Sequence, residues 1–231
     1  MSLELIHVSK SIRKRQSTLP ILRDVSLVLP GHGIILLTGP NGCGKSTLLS
    51  LLGGLDSPDS GKVIYRGKTF SSLPEKEKAR IRCRDFGYVF ADAELLPNET
   101  VEKNISLSLE LQGKKKDTGK ISELLSSLGI PQPDTFLRKK GCDLSAGEAA
   151  CVSIARALIK DPKVLLFDEG LDAVDAASRK AVIALLASLS DTMLILAVSH
   201  HAEEFLPLCQ RHLSMEPGGG SSRMNPYLLP P

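Results

Sequence analysis

The sequence has no tryptophan, and aromatic residues make up only 4% of its 231 positions. That scarcity argues against a surface that binds nucleic acid by stacking bases on rings. No stretch approaches the roughly 18 consecutive apolar residues of a membrane-spanning helix. The opening segment, MSLELIHVSK, lacks the basic stretch and long apolar run of a secretory signal. Neither sign of charge dominates: 29 Lys and Arg against 26 Asp and Glu leave a formal charge of +3. So mild a balance does not argue for nucleic acid or an anionic membrane surface as a partner. The five cysteines (Cys43, Cys83, Cys142, Cys151, Cys209) are scattered, odd in number and form no C-x-x-C pair. Neither a disulfide framework nor a zinc site is expected, and reduced thiols in a cytosolic protein are the plain reading. What is present is globular in character, with 42% hydrophobic and 24% charged residues. Length and composition together predict one large domain, or a core carrying a subdomain.

Three short apolar runs stand out, Ile34–Leu37, Val164–Phe167 and Met193–Val198. Continuous rather than alternating apolar residues predict strands buried on both faces, as in a parallel sheet covered by helices. Each run is followed at once by polar residues, Thr38-Gly39, Asp168-Glu169 and Ser199-His200. Ligands of open parallel sheets sit beyond the carboxyl ends of the strands, so the three ends are expected to meet at one site. Leu3–Val8 and Val25–Leu29 alternate and read as half-exposed strands, Lys62–Tyr65 and Phe86–Phe90 as further short ones. From about Leu95 to Ala157 the pattern turns helical, which predicts an inserted helical subdomain. Residues Pro217–Pro231 hold four prolines, three glycines and two serines, a composition that predicts a flexible tail. No internal repeat is visible.

The segment Gly39-Pro40-Asn41-Gly42-Cys43-Gly44-Lys45-Ser46 fits G-x-x-x-x-G-K-[ST]. It follows an apolar strand and precedes a helix start at Thr47, the context the motif requires. Its glycines let consecutive N–H groups close around phosphate oxygens, and the helix N-terminus adds about half a positive charge. Lys45 is suited to reach the β- and γ-phosphates, and Ser46 to give Mg²⁺ an oxygen ligand. After the second strand, Asp168 suits a Mg²⁺ contact and Glu169 the polarising of an attacking water. About a hundred residues after the glycine-rich loop, Leu144-Ser145-Ala146-Gly147-Glu148 opens a helix over Ala149–Ile159. Ser145 and Gly147 at that start point N–H donors outward, although an ordinary capped helix would do the same.

In their order, GPNGCGKST, FGYVFADAELLPNETVEKNI, LSAGE, LLFDEGLDAVD and AVSHH resemble the ATP-binding subunits of ABC transporters, from about Leu3 to Met215. The stretch DSGKVIYRGKTFSSLPEKEKARIR resembles the lipoprotein-release, macrolide-exporter and cell-division group in particular. The resemblance implies an α/β fold. A P-loop NTPase (RecA-like) core with a parallel sheet would span 1–92 and 156–216, with an N-terminal antiparallel β subdomain and an inserted helical subdomain over 93–155. It implies ATP and Mg²⁺ as ligands, with Gly39 to Thr47 on the nucleotide and Ser46 and Asp168 on the metal. Lys45, Glu169 and His200 would be catalytic, His200 by contacting the γ-phosphate and aligning water with Glu169. The implied partners are a second ATP-binding subunit, identical or not, and a separate transmembrane permease, with no nucleic acid. Ser145, Gly147 and Glu148 would face the nucleotide of the second subunit, and Asp175 would lie in a loop crossing the seam. The implied location is cytoplasmic, on the inner face of the membrane through the permease. A nucleotide-gated regulatory subunit with little turnover is the alternative.

The sequence departs from that family at several positions. Ala91 stands where a glutamine is usual, Ala146 where the signature has its first glycine, and Ile12 where an aromatic ring stacks on adenine. Ala149, Ala150 and Cys151 replace the usual polar and basic residues, and Gly170-Leu171 the common Pro-Thr. Lys45, Ser46, Asp168, Glu169 and His200 all remain, so retained and slow hydrolysis is expected.

Overall fold

The computed structural model describes residues 2–14, 17–218 and 221–227. The chain opens with β1 (Leu3–Lys14), β2 (Ser17–Leu29) and β3 (Gly33–Thr38), then α1 (Lys45–Leu52). The short β4 (Ser60–Tyr65) and β5 (Lys68–Thr69) lead to α2 (Glu75–Asp85) and β6 (Phe86–Val89). Four helices follow, α3 (Val101–Glu110), α4 (Thr118–Ser127), α5 (Pro133–Phe136) and α6 (Ala146–Leu158). The chain then returns to the sheet through β7 (Val164–Asp168), α7 (Ala176–Leu189), β8 (Leu194–Val198), α8 (Ala202–Phe205), β9 (Arg211–Gly218) and β10 (Ser221–Tyr227).

The strands form one sheet in the order β5-β4-β1-β2-β10-β9-β3-β8-β7-β6. Its N-terminal part is antiparallel, with Leu3 opposite Leu29 and Tyr65. From β9 to β6 every pairing is parallel. The three apolar runs become β3, β8 and β7, side by side, so their carboxyl ends do meet. Their residues alternate between two cores. Ile34, Leu36, Leu165, Phe167, Ile195 and Ala197 pack toward the helices α3 to α7, while Ile35, Leu37, Val164, Leu166, Leu194 and Leu196 pack toward α1 and the antiparallel strands. Burial on both faces is why these strands read as unbroken apolar runs.

The tail differs from its expectation. β9 runs on to Gly218, and Ser221–Tyr227 pairs antiparallel with it, from Ser221 opposite Gly218 to Tyr227 opposite His212. Backbone N–H and C=O groups make that pairing, and composition does not encode them. Residues 219–220 and 228–231 of the expected tail lie outside the described residues. The helix at Ala149–Ile159 starts earlier, at Ala146, because Ser145 caps it. The helix α2 carries no apolar stripe, and ion pairs from Glu75 to Lys78 (2.9 Å) and Arg82 (2.6 Å) lie along its surface.

Candidate functional site

Residues 39–44 form the loop between β3 and α1. Gly39, Gly42 and Gly44 have φ of 150°, 79° and 102°. A Cβ on Gly39 would lie 2.4 Å from the Met215 carbonyl oxygen, so no side chain fits there. Gly44 precedes α1 in a left-handed conformation, with no side-chain cap and no acidic residue in the first turn. The positive end of α1 therefore lacks the anionic side chain that helix N-termini favour. Cys43 is buried within the loop.

Lys45 is 7% exposed. Its Nζ donates to the carbonyl oxygens of Gly39 at 2.9 Å and Pro40 at 3.2 Å, folding across the loop. Among the described residues, no carboxylate lies within salt-bridge distance of this cation. A buried ammonium matched only by carbonyl dipoles is a strong site for an anion.

Asp168 ends β7. Its Oδ1 is the only buried side-chain oxygen or nitrogen without a hydrogen-bond partner among the described residues. Burial, with the neighbouring Glu169 charge, raises its pKa, against a hydrogen bond from Ser46 and the charge of Lys45. An orphaned carboxylate oxygen beside a serine hydroxyl is the donor set a hard cation such as Mg²⁺ takes. The residues present therefore fit that ion. Because a native carboxyl with a raised pKa opposes folding once it ionises, Asp168 costs stability at neutral pH and not in acid. Asp168→Asn is expected to raise the melting temperature of the nucleotide-free protein at pH 7 by about 2–4 °C, for a gain of about 1 kcal/mol. The gain should shrink as the pH falls through the range where the wild-type carboxyl takes up its proton. Thermal melts of both proteins from pH 4 to 8 check this; a gain that grows in acid would contradict it.

Glu169 follows at φ 56°, a conformation uncommon outside glycine and asparagine. It is held there by a hydrogen bond from its N–H to the Val198 carbonyl (2.9 Å) on the adjacent strand. Such local strain persists where surrounding structure fixes it, and it clusters at functional sites. Glu169 Oε1 lies 3.2 Å from His200 Nε2, and both side chains reach solvent. The sheet thus brings Lys45, Ser46, Asp168, Glu169 and His200 to one edge. His201 instead contacts the Arg179 guanidinium at 3.4 Å.

The remaining expected residues form a second cluster. Ser145 Oγ accepts from the Glu148 N–H (3.2 Å), and Glu148 Oε2 accepts from the Ser145 N–H (2.8 Å), a reciprocal cap. Lys139 pairs with Glu148 at 2.8 Å, and these bonds hold the Glu148 carboxyl below its usual range. Ala146 has no positive φ, so its methyl group costs nothing in backbone strain. Gly147 is different: a Cβ there would sit 2.9 Å from the Ala173 carbonyl oxygen. Asp175 caps α7, accepting from the N–H groups of Ala177 (3.0 Å) and Ser178 (3.1 Å). Ser145, Gly147, Glu148 and Asp175 line one open cavity of about 780 Å³, to which neither the glycine-rich loop nor Glu169 contributes. One residue not anticipated from sequence is Arg179. It joins the Asp175 loop to α8 by bonds to the Val174 carbonyl (3.1 Å) and Glu204 (2.8 Å). Only its place one turn into a capped helix could have flagged it.

Comparison with known proteins gives this arrangement a family. Residues 22–172 match the family described as ABC transporter. The methionine import ATP-binding protein MetN of Latilactobacillus sakei subsp. sakei (strain 23K) is 36% identical over 225 residues, covering 94% of this chain and 63% of that protein. MetN 1 of Staphylococcus aureus (strain N315) is 34% identical over 221 residues, again 94% of this chain and 63% of the relative. The chain thus spans about 63% of the length of these curated relatives. Their names are of methionine import, not of the lipoprotein-release, macrolide-exporter and cell-division group. A dimeric post-hydrolysis structure of the ATP-binding cassette MJ0796, bound to ADP and Pi, superposes with a TM-score of 0.86 at 27% identity, covering 97% of this chain and 98% of that one. A second dimeric structure of MJ0796, described as a bacterial ABC transporter cassette, gives 0.87 at the same 27% identity and coverage. With its loop, acidic pair and signature helix placed as above, this chain belongs to the ABC transporter family, among its ATP-binding proteins.

Proposed function

We propose that the chain binds and hydrolyses MgATP and, as a dimer of nucleotide-binding subunits, powers a separate membrane-spanning permease. The observation that carries this reading is the separation of the two clusters within one chain. The phosphate loop with its acidic pair has no signature residue beside it, and the signature cavity has no phosphate loop. Two chains packed head to tail complete both sites at once, and the solved cassettes this chain resembles are themselves dimers.

In this reading the loop amides and Lys45 hold the triphosphate, Lys45 trading its carbonyl contacts for phosphate oxygens. Ser46 and Asp168 would hold Mg²⁺, which supplies charge neutralisation on the phosphates when bound. Glu169 accepts a proton from the attacking water, and His200, 3.2 Å away, keeps that carboxylate in place. Ser145, through its hydroxyl, and Gly147, through its N–H, face the γ-phosphate held by the other chain. That phosphate joins the two chains, so its release opens the dimer, a population shift driven by differential affinity.

A permease is supported by the family; no described helix is long and apolar enough to cross a membrane. The segment Ala91–Thr100 is the proposed contact, with the helical arm 93–155 carrying the signature, at the inner face of the membrane. Ala91 is exposed where the family has a glutamine, and this favours the second reading, a regulatory subunit of weak turnover.

The experiment is Gly147→Ala. The added methyl must push the start of α6 away from Ala173, 2.9 Å distant, while the phosphate loop is untouched. The expected result is unchanged MgATP affinity with turnover lowered about tenfold, the effect of one misplaced donor worth ~1.4 kcal/mol. Equal turnover in both proteins would remove the signature from the mechanism.

A further inference from the structure

The segment between β6 and α3 begins beside the hydrolysis site. β6 pairs with β7 so that Val89 lies opposite Phe167, and a Cβ on Gly170 would meet Val89 Cγ1 at 2.4 Å. The far part of the segment is tied to the helices. Arg156, in the last turn of α6, donates from Nη1 to the Glu94 carbonyl (2.7 Å) and from Nη2 to the Ala93 carbonyl (2.7 Å). Arg156 makes no salt bridge with any carboxylate among the described residues; apart from a longer contact from Nη2 to Ser153 Oγ (3.4 Å), its planar fork serves two successive backbone oxygens. Glu94 is held at φ 47°, a strained conformation that the double contact helps to fix. Asn104, 1% exposed on α3, pins the next stretch: its Oδ1 accepts from the Leu96 N–H (2.7 Å), and its Nδ2 donates to the Leu96 (3.1 Å) and Thr100 (3.0 Å) carbonyls. Ala91 and Asp92 are exposed, and Asp92 makes no side-chain hydrogen bond or ion pair among the described residues. Residues 93–100 are thus tied to α6 and α3, and 90–92 join them to the strand beside Glu169, with Phe90 stacked on Tyr88 at 6.0 Å between ring centroids.

We propose that Arg156 is a positioning residue that couples the two nucleotide sites of the dimer. This rests on the head-to-tail dimer proposed above. In that dimer the signature end of α6 touches the nucleotide bound by the other chain, whereas the strand ends beside Glu169 serve the chain's own nucleotide. A displacement of α6 is passed by Arg156 to residues 93 and 94, and through 90–92 to the Glu169 edge. Two sites coupled through one rigid connection give cooperativity without either ligand touching the connector. Arginine suits the task because its fork spans two carbonyls, which the point donor of lysine cannot.

The test is steady-state phosphate release by the purified full chain against MgATP concentration, for wild type, Arg156→Gln and Arg156→Lys. A Hill coefficient near 2 is expected for the wild type and near 1 for Arg156→Gln, since cooperativity is bounded by the number of sites. The half-saturating MgATP concentration should change by less than about threefold, because nothing that binds the nucleotide is altered. Arg156→Lys, which keeps one carbonyl contact, should fall between them and serves alone if Arg156→Gln does not fold. Hydrogen exchange of the amides of 93–96 should quicken in the variants, showing the clamp released. A variant with faster exchange and the wild-type Hill coefficient would overturn the role of Arg156. A wild type with a Hill coefficient of 1 that also stays monomeric in MgATP would overturn the dimer itself.

Discussion

Replacing Glu169 with glutamine should lower steady-state phosphate release by about 10²–10⁴-fold, the usual worth of a positioned general base. Glutamine keeps the size and the hydrogen bonds of the site but accepts no proton from water. The backbone at residue 169 is fixed by its bond to Val198 and not by the carboxylate, so the loop should stay in place. MgATP binding should therefore persist, and because the γ-phosphate is no longer removed, the dimer should accumulate. Phosphate release and size-exclusion chromatography with MgATP, run on both proteins, read the two effects. If wild type and Glu169→Gln release phosphate equally slowly, the chain is the nucleotide-gated regulator rather than the hydrolase.

Lys45→Ala is the second large effect. Lys45 is a buried cation that, among the described residues, bonds only to the Gly39 and Pro40 carbonyls. Those contacts are a resting arrangement: two neutral acceptors stabilise an ammonium less than a phosphate does. Removing the side chain takes a charged donor from both the bound triphosphate and the transition state. The loss expected in kcat/KM is about 10³-fold, the upper range for one preorganised donor. The fold should survive, since α1 is anchored by Leu48, Leu49, Leu51 and Leu52 in the core. A melting temperature close to that of wild type, together with lost turnover, is the expected pair of results. An active Lys45→Ala protein would show that the loop does not grip phosphate through this residue.

Sequence made the catalytic edge legible because its signals are local. Three apolar runs ending in Thr38-Gly39, Asp168-Glu169 and Ser199-His200 place their own functional residues at the strand ends, and parallel pairing does the rest. The cap of α6 is local too, with Ser145 and Glu148 three residues apart, yet the expected helix start fell at Ala149 and missed it. Other features depend on contacts distant in sequence. Arg156 meets Ala93 and Glu94 some sixty positions away, and no residue-type pattern marks such a pair. α2 carries charge on its faces rather than an apolar stripe, so periodicity did not reveal it. The pairing of β10 with β9 is made by backbone groups in a stretch whose glycines and prolines suggested a tail. Ala146, where the family has a glycine, is tolerated because its φ is not positive, whereas a Cβ on Gly147 would sit 2.9 Å from the Ala173 carbonyl oxygen, a contact that only the fold creates.

The central question is whether the turn after β3 holds a triphosphate, and a titration of the folded wild-type chain by calorimetry addresses it most directly, with MgATP in one series and adenosine in the other. Heat of binding is expected from MgATP and none from adenosine. At a hundred times the dissociation constant, MgATP should also stabilise the fold by about 2.7 kcal/mol, a rise of about 5–10 °C in melting temperature. Well-folded protein that gives no heat with MgATP, and melts at the same temperature with or without it, would contradict the reading of this site.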